Sequence, residues 1–205
     1  VNAARLVQLG LLVQKEQGGY YDRFRERLIF PVIDALGRVI GFGGRTLGDD
    51  PAKYLNSPQS ELFDKGRALY GIHAGKDEIV KQRAAVIVEG YTDCLMAHQF
   101  GIANVVATLG TALTADHAKV LSRYADKIVL MFDSDQAGQK AADRAIEVFL
   151  RQRVEVRLAS LPDGQDPCDY LVQHGREAFE AVVAGATEAL DYKWQATVEA
   201  LEQAD

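Results

Sequence analysis

From residue 84 to residue 159 the chain alternates between two hydrophobic patterns. Ala84-Ala85-Val86-Ile87-Val88 is short and wholly apolar, as expected of a strand covered on both faces. Similar runs recur at 103–107, 127–132 and 154–159. Stretches with helical spacing separate them, at 91–99, 114–123 and 137–151, and a further helix is expected over 77–83. Such alternation predicts a parallel sheet with crossover helices. After Pro162 the pattern turns helical, over 168–174, 176–184 and 187–203. Before residue 77 it differs again. Leu6, Leu9 and Leu12 fall on one face of a helix expected over 3–14. Leu28 to Val32 and Val39 to Phe42 read as strands, and Asp34-Ala35-Leu36-Gly37 between them reads as a hairpin turn. Residues 46–75 are rich in Gly, Pro, Asn and Asp and are expected to be mostly loop. The fold class is therefore α/β. A parallel sheet flanked by helices at 77–165 follows a small mixed α+β region at 1–76 and precedes a helical tail at 166–205.

Composition narrows the function classes. The 205 residues suffice for one large domain or two small ones. No apolar run approaches the roughly 18 residues of a membrane span, so no membrane partner is expected. No leader pattern is visible, and the cytoplasm is the expected compartment. An opening on Val1, in a helix-like stretch, leads us to expect a piece of a longer protein. Cys94 and Cys168 form no CxxC, which excludes a disulfide scaffold or a four-cysteine zinc site within the chain. The four histidines do not group at a metal spacing. The net charge of -6 is unevenly spread: residues 1–76 carry a net of +3 and the remainder -9. Nucleic acid is bound by local patches, although charge alone does not separate a patch from a chance excess.

The acids give the sheet its chemistry. Ligands of open parallel sheets bind beyond the carboxyl ends of the strands. Glu89 directly follows the strand ending at Val88, and Asp133 the strand ending at Phe132. Asp135 is two residues further, Asp93 four residues after Glu89, and Asp166 a few residues past the last strand. Acids crowded at one edge repel unless a cation lies among them. Oxygen donors without His or Cys select hard ions, Mg²⁺ or Mn²⁺. A single Asp after a strand is more often a helix cap, and Asp135 has that reading open to it. In the basic region, Lys53 and Lys65 sit in a loop whose backbone amides could face an anion. Arg45 follows Gly43-Gly44, which would allow a phosphate to approach closely. Lys53 beside Tyr54 can serve phosphate and stack a base. Gly110, Thr111 and Thr114 read as a strand-to-helix turn with a cap.

Val88-Glu89-Gly90-Tyr91-Thr92-Asp93 and Phe132-Asp133-Ser134-Asp135-Gln136-Ala137-Gly138 resemble the two signature motifs of the Toprim fold. More narrowly, Gly41-Phe42-Gly43-Gly44-Arg45, Lys53-Tyr54-Leu55-Asn56-Ser57-Pro58 and Ala107-Thr108-Leu109-Gly110-Thr111-Ala112 are similar to bacterial primases of the DnaG type. This resemblance implies a Toprim-type sheet and an RNA-polymerising activity that makes short RNA primers from ribonucleoside triphosphates on a single-stranded DNA template. It implies Glu89, Asp133 and Asp135 as catalytic metal ligands, with Asp93 and Asp166 around two or more Mg²⁺ or Mn²⁺ ions. It implies Arg45, Lys53 and Lys65 as groove residues flanked by Tyr54 and Asn56. It also implies a bacterial replication-fork setting and a replicative helicase as partner, through a C-terminal domain outside this stretch. One motif departs: the family often has Asp-Pro-Asp where this chain has Asp166-Pro167-Cys168. Asp169 is expected to point elsewhere and not to replace the missing acid. The rivals are a Toprim nuclease and a non-catalytic nucleotide- or DNA-binding module. A haloacid-dehalogenase-type phosphatase would place its Asp-x-Asp after the first strand, not the third.

Overall fold

A computed structural model describes residues 2–132, 143–149, 151–152, 154–192 and 194. Four parallel strands form the central sheet: β6 (Ala84–Val88), β7 (Val105–Ala107), β8 (Lys127–Met131) and β9 (Glu155–Ala159). The lateral order is β10-β9-β8-β6-β7, where β10 (Thr187–Glu188) pairs antiparallel with β9. β6, β7 and β8 are short, mainly apolar runs, and alternate residues of the longer strands face opposite layers. Ala85, Ile87, Ile128 and Leu130 face one core. It contains Ile72 and Ile79 of α2 (Ile72–Gln82), Ala118 and Leu121 of α4 (Ala115–Leu121), and Phe149 of α5 (143–149). Val86, Val88, Val129 and Met131 face the other, against Cys94 and Ala97 of α3 (Tyr91–Gln99) and Leu171 and Phe179 of α6 (Pro167–Ala184).

This order creates a crevice. From β6 the chain moves outward to β7 and then returns across β6 to β8. Strand order therefore reverses between β6 and β8, the position at which open α/β sheets bind ligands. Glu89 follows β6 at this crevice. Asp133 and Asp135 lie outside the described residues.

The basic region contains two antiparallel sheets. One is β1 (Leu12–Gln14) with β2 (Tyr20–Asp22); the other is β3 (Arg27–Ile33), β4 (Val39–Thr46) and β5 (Tyr54–Asn56), in that order. The helix expected over 3–14 stops early: α1 spans Ala3–Gln8 and Leu12 enters β1. Gly10 is the cause. It holds a left-handed φ of +69°, and the Pro58 ring occupies the place a Cβ would need. The loop expected over 46–75 holds β5 and the start of α2, which begins at Ile72 and runs through residue 77.

In the C-terminal stretch the two helices expected over 168–174 and 176–184 are present within α6, divided at Gly175, whose φ of 78° and ψ of -177° are non-helical. Thr187–Glu188, expected to be helical, is β10; helix resumes at 189. A third core spans both regions, formed by Phe30, Val32, Phe63 and Ala68 with Tyr91 and Leu109.

Candidate active site

Three expected ligands are described at the carboxyl edge of the sheet. Glu89 is half-buried in the turn after β6. Asp93 lies in the first turn of α3, 8% exposed, and its Oδ2 accepts the Gly90 N–H at 3.0 Å. An acid there suits the positive end of the helix. Asp166 is exposed and caps α6: its Oδ1 accepts the Asp169 N–H at 2.7 Å. Both therefore have a capping role in the fold, and capping occupies one oxygen of each.

Asp169 corrects an expectation. Its carboxylate, that of Asp166 and the Cys168 thiol bring one ligand atom each within 4.8 Å of one another. The N-cap turn brings Asp169 back beside Asp166, so it does not point away. Burial, and then the charges of Asp166, Asp93 and Asp169, push the Cys168 thiol up, while Arg45 opposes them. This lone thiol thus senses both the acids of the parallel sheet and a cation of the basic sheet. The carboxylates fit a hard divalent ion; a protonated thiol does not.

Tyr91 joins the two regions. Phe30, Gly43 and Asn56 form a cross-strand row on β3, β4 and β5. The Tyr91 ring lies over this row, with a Cβ at Gly43 placed only 2.4 Å from its Cζ and Oη. It stacks on Phe30 at 5.0 Å and 9°, and Tyr70 meets it edge-on at 4.7 Å. Its hydroxyl donates to Asn56 Oδ1 at 2.6 Å, and Asn56 Nδ2 donates to the Leu109 carbonyl at 2.8 Å. Burial pushes the Tyr91 phenol well above its ordinary range, so it stays a donor. The neighbouring row carries Arg45 opposite Tyr54. The guanidinium lies 5.6 Å from the Tyr54 ring centroid, and that ring, 43% exposed, stacks on Tyr91 at 6.2 Å. Lys53, next to Tyr54, is exposed.

Two local expectations are revised. Gly43 and Gly44 do not leave space for a phosphate; they leave it for the protein's own side chains. Tyr91 packs over Gly43, while Phe24 and Arg27 pack over Gly44 on the opposite face. The Lys53 N–H is also engaged within the loop, donating to the Pro51 carbonyl at 3.1 Å. Lys65 is half-buried in a turn tied to α4, since the Thr114 hydroxyl donates to the Gly66 carbonyl. Thr114 is the N-cap of α4, as expected. Sequence reasoning missed Tyr91 as a joint, although a Tyr opening a helix two residues after Glu89 was a visible signal. It also missed Arg27, whose partners are 17 to 26 residues away.

Acids at the switch point of a parallel sheet, with this crossover order, define a Toprim-class domain, and residues 86–171 match the Toprim-like family. Residues 1–76 match the DNA primase catalytic core, N-terminal domain. The chain is 49% identical over 189 residues to a DNA primase of Clostridium acetobutylicum, covering 92% of this chain and 31% of that protein. It is 45% identical to that of Escherichia coli K12, covering 88% and 32%. Among solved structures, a DNA primase domain from Pseudomonas aeruginosa superposes with a TM-score of 0.89 at 43% identity, covering 94% of this chain and 62% of that one. A DnaG primase catalytic domain bound to single-stranded DNA superposes at 0.86 and 44%, covering 91% and 61%. The chain belongs to the bacterial DnaG-type primase family, within its catalytic core. It spans about a third of the length of the curated relatives it matches.

Proposed function

We propose that this chain is the nucleotide-joining part of a DNA primase, making short RNA primers from ribonucleoside triphosphates on a single-stranded DNA template. The observation that carries this reading is the Tyr91 joint. It packs the basic, aromatic sheet against the turn bearing Glu89, which would set a phosphate-gripping surface beside a metal-holding edge. Residues 1–76 supply the groove and 77–165 the metal-holding edge. Glu89, Asp133 and Asp135 would hold Mg²⁺ or Mn²⁺, two ions or more, with Asp93 and Asp166 beside them; Asp169 lies next to Asp166 where Cys168 is a poor ligand. When bound, such ions would supply Lewis-acid activation of the attacking 3′-hydroxyl and charge neutralisation at the triphosphate. Arg45, Lys53 and Lys65 grip the triphosphate or the template backbone. The exposed Tyr54 ring, backed by Tyr91, offers a face for a base, and Asn56 fixes Tyr91 beneath it.

The test is primer synthesis on single-stranded DNA with labelled ribonucleotides and Mg²⁺ or Mn²⁺, comparing the wild type with Glu89→Gln and Asp133→Ala. Metal-dependent RNA products that both substitutions abolish support the reading. Cleavage of the DNA in the same tubes, lost in the same variants, would replace it with a Toprim nuclease. Tight nucleotide binding without turnover, unaffected by either substitution, would replace it with a binding module.

A further inference from the structure

Arg27 is a basic residue of the groove region that faces inward. Its side chain is only 3% exposed. Nη1 donates to the Ala52 carbonyl at 2.8 Å and, at longer range, to the carbonyls of Gly44 (3.3 Å) and Lys53 (3.4 Å). Nη2 donates to Asp50 Oδ2 at 2.6 Å. Asp50 Oδ1 in turn accepts the Ala52 N–H at 2.9 Å, and the Lys53 carbonyl also accepts the Thr46 N–H at 3.0 Å. The stem of Arg27 reaches these partners because Gly44 has no Cβ: one there would lie 3.1 Å from Arg27 Cδ.

We propose that Arg27 is a positioning residue that acts through Lys53. It clamps the backbone of residues 50–53 onto β4, so that Lys53 and Tyr54 are presented to the ligand already ordered. The proposal rests on the groove reading given under Proposed function. The guanidinium is turned into the protein and cannot meet a phosphate, so its charge serves the loop. A planar fork can reach several carbonyls and a carboxylate at once; a lysine, a single point charge, cannot. Without the clamp the 50–53 loop must be ordered at the moment of binding, which weakens the grip of Lys53.

A double-mutant cycle on the whole chain tests this. The dissociation constant for a fluorescein-labelled oligothymidylate is measured by anisotropy for the wild type, Arg27→Met, Lys53→Ala and the double variant. Each single change weakens binding about tenfold, one charge-assisted contact's worth, and the double variant is no weaker than the singles. The slope of log Kd against log salt falls by about one in Lys53→Ala and falls no further in the double variant. Asp50→Ala removes the exposed anchor, leaves the core untouched and weakens binding less. It replaces Arg27→Met in the cycle if that variant does not fold. Additive losses, roughly hundredfold in the double variant, overturn the proposal. So do unchanged binding in Arg27→Met, unchanged binding in Lys53→Ala, or no binding by the wild type. A non-additive cycle in a chain that makes no primer would refute the polymerase reading and leave the clamp standing. An additive cycle in a chain that primes would do the reverse.

Discussion

Gly43→Ala puts a single methyl group into the joint between the two regions. Gly43 is in extended backbone, where alanine is ordinarily preferred to glycine by about 0.5–1 kcal/mol, so backbone considerations alone predict a more stable protein. The surroundings predict the opposite. The added Cβ would fall 2.4 Å from Tyr91 Cζ and Oη and 2.8 Å from Cε2, so ring or strand must move. Overpacking of this kind costs roughly 1–3 kcal/mol. Displacing the ring also weakens its stack on Phe30 and its hydroxyl bond to Asn56, about 1 kcal/mol for each. With the backbone gain subtracted, the net loss is about 2–4 kcal/mol. Denaturant unfolding followed by far-UV circular dichroism measures it. The same substitution in a Tyr91→Ala background removes the clash and should cost less than in the wild type, by at least about 1 kcal/mol of coupling. A stabilised Gly43→Ala protein, or equal costs in the two backgrounds, would refute the reasoning.

Three further outcomes are expected. His117 is fully buried, with Nδ1 accepting the Thr114 N–H and Nε2 donating to the Ala68 carbonyl, so its ring is held neutral in one tautomer. Burial lowers its pKa below the ordinary 6.5, the unfolded chain binds the extra proton first, and stability is lost as pH falls below about 6.5. Unfolding titrations across that window should show the slope in the wild type and lose it in His117→Gln. Cys94 is buried with its thiol pushed far up, whereas Cys168 is half-exposed; a disulfide-exchange reagent should therefore modify one thiol in the native chain and two in denaturant. Cys168→Asp adds a carboxylate beside Asp166 and Asp169, and primer synthesis should then reach half-maximal rate at several-fold lower Mg²⁺. An unchanged or raised Mg²⁺ requirement would remove position 168 from the metal environment.

The alternating region was legible because its signals are local. A wholly apolar run as short as Ala84 to Val88, ending in Val86-Ile87-Val88, favours a strand covered on both faces over a helix, and observed β6 has those bounds. The acids Glu89 and Asp93 were legible for the same reason, being counted from a strand end. Local punctuation misled where a distant contact set the conformation. The apolar spacing of Leu6, Leu9 and Leu12 favours one helix, but Gly10 turns left-handed under a proline 48 positions away, and Leu12 becomes a strand. Gly43-Gly44 looked like an opening for phosphate because a sequence does not show that Tyr91 and Arg27 lie on either side of the strand. Asp169 looked misdirected by its spacing, yet the N-cap turn at Asp166 brings its carboxylate back into the cluster. The strands and helices of the alternating region, and the acids counted from its strand ends, follow from interactions within a few residues, and the chain alone determined them. Which side chains fill the space above a glycine, and which arginine is turned inward onto a loop, depend on contacts across tens of residues. Only close packing of the folded chain decided those.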